Sequence, residues 1–534
     1  MASCPMFFSN SSFISPIDIS IAPLITGFAA LYFPLCTIAA CASCLILYHG
    51  QIRAQGKSHV EGPFRWPVVG AYFEAKRNLW RLHDWNLSYF RRSKTILIDF
   101  GLFVNVLTVD PKNVEYMLST NFLNYPKGRT FCERFSDWLG NGILNADGEI
   151  WKRHRKIASY EFSPRKLRDF SCTVFREDAL KFARILDLAA MSQEEVDCQD
   201  LCMRMTLDSI CKVGFGVDLN CCSPSLPAIP FGIAFDSANV NTVNRQVSLF
   251  WKMMRFWDIG SEKQMRKNLE TLDSFIYSII KKRKAEIETA VNSGKEHVKE
   301  DLLSRFMTYR SADGEGYSDK DLRDAIMNFM VAGRDTTAVT LSWFIHSVCE
   351  NPSVAESIRA ELNNVLGDTQ NLSYEKFASL LTYNSLSKMH FLHAAISETL
   401  RLYPAVPKDS KFAANDDVLP DGTTIKKGYA LSFVPYSMGR MEFLWGSDAC
   451  VFRPERWLKN GIFQPESPFK FTAFQAGPRT CLGKDSAYLQ MKITAALLMS
   501  FLTFNLVPGQ TIRYRLMSVL SMLNGIKVQV IRRH

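Results

Sequence analysis

Apolar and polar residues follow one another along this chain mostly at helical spacing. Apolar positions recur three and four residues apart from Asp110 to Leu118, Glu149 to Phe162, Leu201 to Phe215 and Leu269 to Ile287, and each stretch predicts a helix. Short β-branched runs are fewer. Ile96–Phe100 and Val104–Val109 flank Gly101 and predict an antiparallel hairpin, while Thr424–Ile425 and Leu431–Val434 predict late strands. The expected fold class is mainly α with a small β part.

One predicted helix stands apart by its length. After Ser318, a capping residue with Asp321 in the first turn, no proline occurs until Pro352. That allows roughly 32 helical residues, about 48 Å, enough to run through a molecule rather than across its face. Its middle reads Ala332-Gly-Arg-Asp-Thr-Thr337. Gly333 lets another group approach the backbone, and the Thr336 and Thr337 hydroxyls can bond carbonyls one turn earlier and bend the ladder. Taken alone, the segment also fits a plain kink between two packed halves.

The N-terminal pattern differs. From Ile19 to Tyr48 no side chain is charged, and about 20 apolar residues suffice to cross a bilayer as a helix. The expectation is a short lumenal segment over 1–18, a single transmembrane anchor over 19–48, a basic linker with prolines over 49–67, and one catalytic body over 68–534. Asp18 precedes the span and Arg53, Lys57 and Arg65 follow it, so the body is expected on the cytoplasmic side. A cleaved signal peptide is the rival reading, but the start is not basic and the apolar stretch is too long. Lys281 to Glu300 reads as a solvated helix end and loop. Leu226 to Trp257, rich in Phe, Ile, Met and Trp, fits either a lipid entrance beside the membrane or apolar core.

Composition narrows the function classes. Hydrophobic residues at 47% and charged residues at 22% describe a packed globular body, neither disordered nor many times membrane-spanning. The net charge of +10 is interspersed with acids, which favours an acidic protein surface over nucleic acid as partner. Among the 14 cysteines no CxxC pair recurs at zinc spacing, and most read as reduced, buried thiols, the vicinal Cys221–Cys222 included. No GxGxxG follows a predicted strand, so electrons for redox chemistry must come from another protein.

One cysteine sits on a shaped turn, Phe474-Gln-Ala-Gly-Pro-Arg-Thr-Cys-Leu-Gly483, ahead of a helix-forming run from Ser486. Backbone N–H groups and a helix N-terminus both favour thiolate over thiol there, as a metal ligand requires. A packed turn residue is the simpler reading of this loop by itself. Likewise Glu398-Thr-Leu-Arg401 places two charges on one helix face, which usually means a surface ion pair.

Together, Phe474-x-x-Gly477-x-Arg479-x-Cys481-x-Gly483, Glu398-x-x-Arg401, Phe452-Arg-Pro-Glu-Arg456-Trp457, Trp151-x-x-x-Arg155 and Asp335-Thr336 resemble the cytochrome P-450 superfamily in order and spacing. The resemblance covers nearly the whole chain and implies a cytochrome P-450 fold behind the membrane helix. It implies haem b with Cys481 as axial iron ligand, Arg479, Trp151 and Arg155 at the haem propionates, and Phe474 beside the sulfur. Glu398, Arg401 and Arg456 would form a buried structural triad. Asp335 and Thr336 would lie over the iron face where O2 is activated and deliver protons. Electrons would come from NADPH through a separate flavoprotein reductase in the endoplasmic reticulum membrane.

Within that superfamily Asn121-Phe-x-Asn-Tyr-Pro-Lys-Gly128, Leu139-Gly-Asn-Gly-Ile143, Asp147-Gly-Glu-x-Trp-Lys152 and Cys481-Leu-Gly-Lys-Asp-Ser-Ala-Tyr488 resemble the plant-type fatty-acid hydroxylases. This implies a monooxygenase that hydroxylates the ω carbon of long-chain fatty acids, as in cutin or sporopollenin monomers. A terpenoid or sterol hydroxylase on the same scaffold is the alternative within the family. A non-catalytic haem sensor or carrier, with no need of Asp335-Thr336, is the alternative of another class, and an isomerase-like haem-thiolate enzyme that rearranges hydroperoxides would usually lack that pair too.

Overall fold

The computed structural model describes residues 36–43, 46–47 and 60–533, apart from 102, 249, 294–300, 311–313 and 370. Helices dominate, with small sheets at the edges. The predicted hairpin forms: Thr95–Asp99 pairs antiparallel with Val104–Thr108 across a turn in which Gly101 takes φ +79°. Val104–Thr108 then pairs in parallel with Ala430–Phe433, and Asp409–Phe412 closes the four-stranded sheet. A second sheet, in the order Leu502–Leu506, Lys527–Arg532 and Glu195–Asp197, joins segments more than 300 residues apart and has no local signal in the sequence.

The helical periodicity is realised as Gly148–Ser159, Cys198–Phe215 and Gly260–Asn292, while the stretch from Asp110 forms Pro111–Glu115 and then a π turn over Tyr116–Thr120. The long helix runs from Asp319 to Glu350 and changes to a π turn at Val331–Asp335 without breaking. Its start is set by reciprocal capping. Ser318 Oγ accepts from the Asp321 N–H at 3.2 Å, and the Asp321 carboxylate accepts from the Ser318 N–H at 3.1 Å.

This helix links two hydrophobic cores. Leu322 to Val331 belong to one, with Trp138, Phe235 and Phe306. Ala338 to Val348 belong to the other, with Phe182, Phe433 and most of the Lys484–Phe501 helix. The π turn therefore falls at the seam between them.

One expectation lies outside the described residues and another changes. Among the described residues no helix is long and apolar enough to cross a membrane; the proposed anchor over 19–48 lies outside them except for helical 36–43 and 46–47. The charged stretch from Lys281 is not solvated throughout, because Arg283 is buried, pairs with Asp301 at 2.7 Å and donates to the Phe215 carbonyl at 2.6 Å. Of Leu226 to Trp257, the first half is core through Phe231 and Phe235, whereas Phe250, Met253, Phe256 and Trp257 are exposed.

Candidate active site

The Cys481 loop is built by its backbone. Gly477 takes φ +64°, and a Cβ there would lie 2.0 Å from the Leu118 carbonyl oxygen, so only glycine fits. The Cys481 N–H donates to the Phe474 carbonyl at 2.9 Å, which closes the loop over its own cysteine. Phe474 packs on one core and Leu482 on the other, so this loop lies at the same seam as the π turn.

Protein encloses the Cys481 sulfur on nearly every side, yet the residue keeps open surface. It borders an internal space rather than filling a core. Burial pushes the thiol's pKa up, against the Gly483 backbone N–H, Arg155 and Lys484, which pull it down. The backbone N–H at the loop favours thiolate, as the sequence suggests, and burial opposes it.

Behind the loop, Glu398 is fully buried and surrounded by donors. Arg401 Nε and Nη2 reach its two oxygens at 2.7 and 2.8 Å, Arg456 Nε at 2.8 Å and Trp457 Nε1 at 2.9 Å. Arg401 also donates to the Gly439, Ala449 and Val451 carbonyls. Two guanidinium groups thereby tie a helix to an irregular segment that would otherwise leave carbonyls unpaired.

A basic rim flanks the internal space. Arg479 Nη2 bonds Asp147 at 2.6 Å and the Ala146 carbonyl at 3.0 Å, and its guanidinium lies 4.5 Å from the Trp151 ring centroid. Arg155 approaches the same ring at 5.9 Å. The Arg479 Nε is buried without a partner among the described residues. Burial pushes both guanidinium groups down, although Asp147 opposes this for Arg479 and Cys481 for Arg155. Unspent cationic donors beside an accessible enclosed thiol fit a haem, whose two carboxylates would take the former and whose iron would take the latter.

Sequence reasoning did not single out the next charges along this rim. Asp409 accepts from Lys127 at 3.0 Å, from Lys411 at 2.6 Å and from the loop residue Gln475 at 2.6 Å. Lys127 and Lys411 hold its carboxyl far below the ordinary range in spite of burial. The only signal was a dense Lys408-Asp-Ser-Lys411 run, which forms the start of a strand.

Across the seam, Ala332, Gly333 and Thr336 keep open surface on a helix otherwise buried. Thr336 Oγ1 bonds the Ala332 carbonyl at 2.7 Å. On its packed side Gly333 meets Ile210: a Cβ there would lie 2.6 Å from Ile210 Cδ1, so its group of close approach is an apolar side chain at the edge of the core. Asp335 is buried and shares Arg334 Nη1, at 2.9 Å, with Asp236, at 2.7 Å; Asn239 Nδ2 stands 3.4 Å from its other oxygen. Burial pushes the Asp335 carboxyl up, Arg334 pulls it down, and the Asp236 carboxylate adds to the rise. Asp335, Arg334 and Asp236 also line a polar crevice of about 320 Å³ with Arg515 and Gln199. Asp236 and Asn239 were missed because their helix reads as apolar.

Comparison with known proteins agrees over most of the length. The cytochrome P450 family matches residues 60–530. Cytochrome P450 704B1 of Arabidopsis thaliana is 47% identical over 524 residues, covering 93% of this chain and 99% of that one. Cytochrome P450 704C1 of Pinus taeda is 48% identical over 477 residues, 87% of this chain and 92% of its own. Cytochrome P450 86B1 of Arabidopsis thaliana is 42% identical over 440 residues, 81% of this chain and 78% of its own. With its cysteine loop, braced glutamate and interrupted long helix, the chain belongs to the cytochrome P450 family of haem-thiolate monooxygenases.

Proposed function

We propose that this protein hydroxylates the ω carbon of long-chain fatty acids with one oxygen atom of O2, in the manner of enzymes that make lipid-polymer monomers. The observation that carries the oxygen chemistry is the common seam, where the thiol of Cys481 and the alcohol of Thr336 are both open in an otherwise packed interior. The substrate class is supported by the resemblance to plant fatty-acid hydroxylases and by similarity to the 704 and 86 relatives over most of the chain.

Haem b, when bound, supplies the dioxygen and one-electron chemistry. In this reading Cys481 holds the iron, Arg479, Trp151 and Arg155 hold the haem carboxylates, and Phe474 shields the sulfur. Glu398, Arg401 and Arg456 keep the loop in place. Asp335 takes a proton from the polar crevice, and Thr336 Oγ1 passes it toward the reacting oxygen. The protein is anchored by 19–48, with 1–18 lumenal, 49–67 as linker and 68–534 as catalytic domain at the cytoplasmic face of the endoplasmic reticulum. A membrane-bound NADPH-dependent flavoprotein reductase supplies electrons, and the net positive charge favours docking to its acidic surface.

The test is turnover of the full chain in membranes with such a reductase and C16 or C18 acids. The ω-hydroxy acid is the expected product. Absence of ω-hydroxy acid from both, with terpenoid or sterol substrates hydroxylated instead, would overturn the substrate assignment.

A further inference from the structure

Lys408 and Arg134 are two cations that stay outside the ion pairs around Asp409. Among the described residues neither side chain has a carboxylate in an ion pair or a hydrogen-bond acceptor, whereas Lys127, Lys411 and Arg479 beside them are all paired. Lys408 directly precedes the Asp409–Phe412 strand. Asp409 and Lys411 point to the buried side, where Lys127 and Gln475 meet them, so strand alternation puts Lys408 on the other side. Arg134 lies on the Arg129–Leu139 helix, which starts against the same strand. The Phe412 N–H donates to Pro126 at 2.9 Å, and a Cβ on Gly128 would lie 2.7 Å from Phe412 Cβ. The Arg134 guanidinium stands 5.9 Å from the ring of Phe103, which stacks on Phe100 near the hairpin turn.

The electrostatics agree with this placement. Burial pushes Lys408 down to about 8; Asp409 opposes the shift and Arg134 adds to it, so the two cations feel one another. Burial also pushes Arg134 down, and Glu133, its only opposing acid, is itself paired with Lys252 at 2.6 Å. His83, the titratable group facing Lys408 from the Leu82–Phe90 helix, is held neutral by burial, with a pKa pushed down to about 3. An anion arriving here would relieve a repulsion that the fold otherwise sustains.

Resting on the fatty-acid reading above, we infer that Lys408, with Arg134 opposite, is the anchor for the substrate carboxylate. Two half-buried cations, Arg134 beside stacked phenylalanines, suit an amphiphile with an anionic end. A carboxylate held here leaves the opposite end of the acyl chain to reach the iron, which is the order ω-hydroxylation requires.

Binding is read on the haem-loaded full chain as the ligand-induced shift of its absorption, with a C16 fatty acid and its methyl ester. The wild type is expected to bind the acid about 10–100-fold more tightly than the ester. Lys408→Met should abolish that preference by weakening the acid alone, Lys408→Arg should restore most of it, and Arg134→Met should lose a smaller part. In the wild type the acid's affinity should fall as pH rises through about 8, where Lys408 loses its proton, and the ester's should not. This arm needs no variant to fold. Equal binding and ω-hydroxylation of acid and ester by the wild type would leave the fatty-acid reading standing and remove the anchor. An acid preference untouched in a haem-loaded Lys408→Met protein would also remove it. No shift with either ligand would overturn both.

Discussion

The Thr336 hydroxyl donates to the Ala332 carbonyl at 2.7 Å, across the one turn where the long helix is π-wound and open to the interior. Both the bond and the opening belong to a side chain placed to exchange a backbone acceptor for a bound one. Thr336→Ala is therefore expected to keep NADPH consumption but lower product formed per NADPH about 10-fold or more, with peroxide released instead. Thr336→Ser should retain coupling. Product and peroxide counted in the same assay check this, and full coupling in the alanine variant would remove Thr336 from the account.

Asp236 adds to the rise in proton affinity that burial gives Asp335, and both carboxylates share Arg334. Asp335 must carry its proton to deliver it, so coupled turnover should decline as pH rises through its titration. Asp236→Asn removes a carboxylate that raises Asp335, leaving Arg334 and Asn239 as its partners. The alkaline decline should then begin at lower pH, while Asp335→Asn should slow turnover about 100-fold and abolish the decline. A pH–rate profile unchanged in Asp236→Asn would contradict the linkage.

Arg456 is nearly as buried as its partner, so its removal leaves Glu398 charged and short of a donor. Arg456→Ala should cost about 3–5 kcal/mol. Lysine should not rescue it, since Nε serves Glu398 while Nη1 and Nη2 serve the Trp445 and Asp448 carbonyls. Denaturant unfolding followed by fluorescence, with haem content recorded at each point, measures the loss.

Gly333→Ala would gain helix propensity of about 1 kcal/mol but drive a methyl into Ile210. The clash should win, for a net loss of about 1–2 kcal/mol. Adding Ile210→Ala removes the two atoms nearest the new methyl and should make the second substitution milder than it is alone. A Gly333→Ala protein as stable as the wild type would mean that the contact is softer than its distances imply.

The hairpin at Gly101 and the long helix from Ser318 were legible because their signals are local: a turn between β-branched runs, and a cap followed by an unbroken proline-free stretch. The meeting of Glu398 with Arg456 was not readable from spacing and came only through family resemblance. The pairings of Asp236 with Arg334 and of Lys127 with Asp409 could not be read from spacing, since the partners lie 98 and 282 residues apart. Charges on such distant segments look solvated until the chain folds them together. The Cys481 loop shows the opposite limit: its glycines marked the turn, but only burial revealed that desolvation opposes the thiolate.

The central claim is that Cys481 is the sulfur bound to iron. The absorption spectrum of the reduced, carbon monoxide-bound protein tests it most directly. The wild type should show the strongly red-shifted Soret band of thiolate-ligated haem, and Cys481→Ser should lose it. Haem-loaded Cys481→Ser protein that kept the shifted band would place the ligand elsewhere.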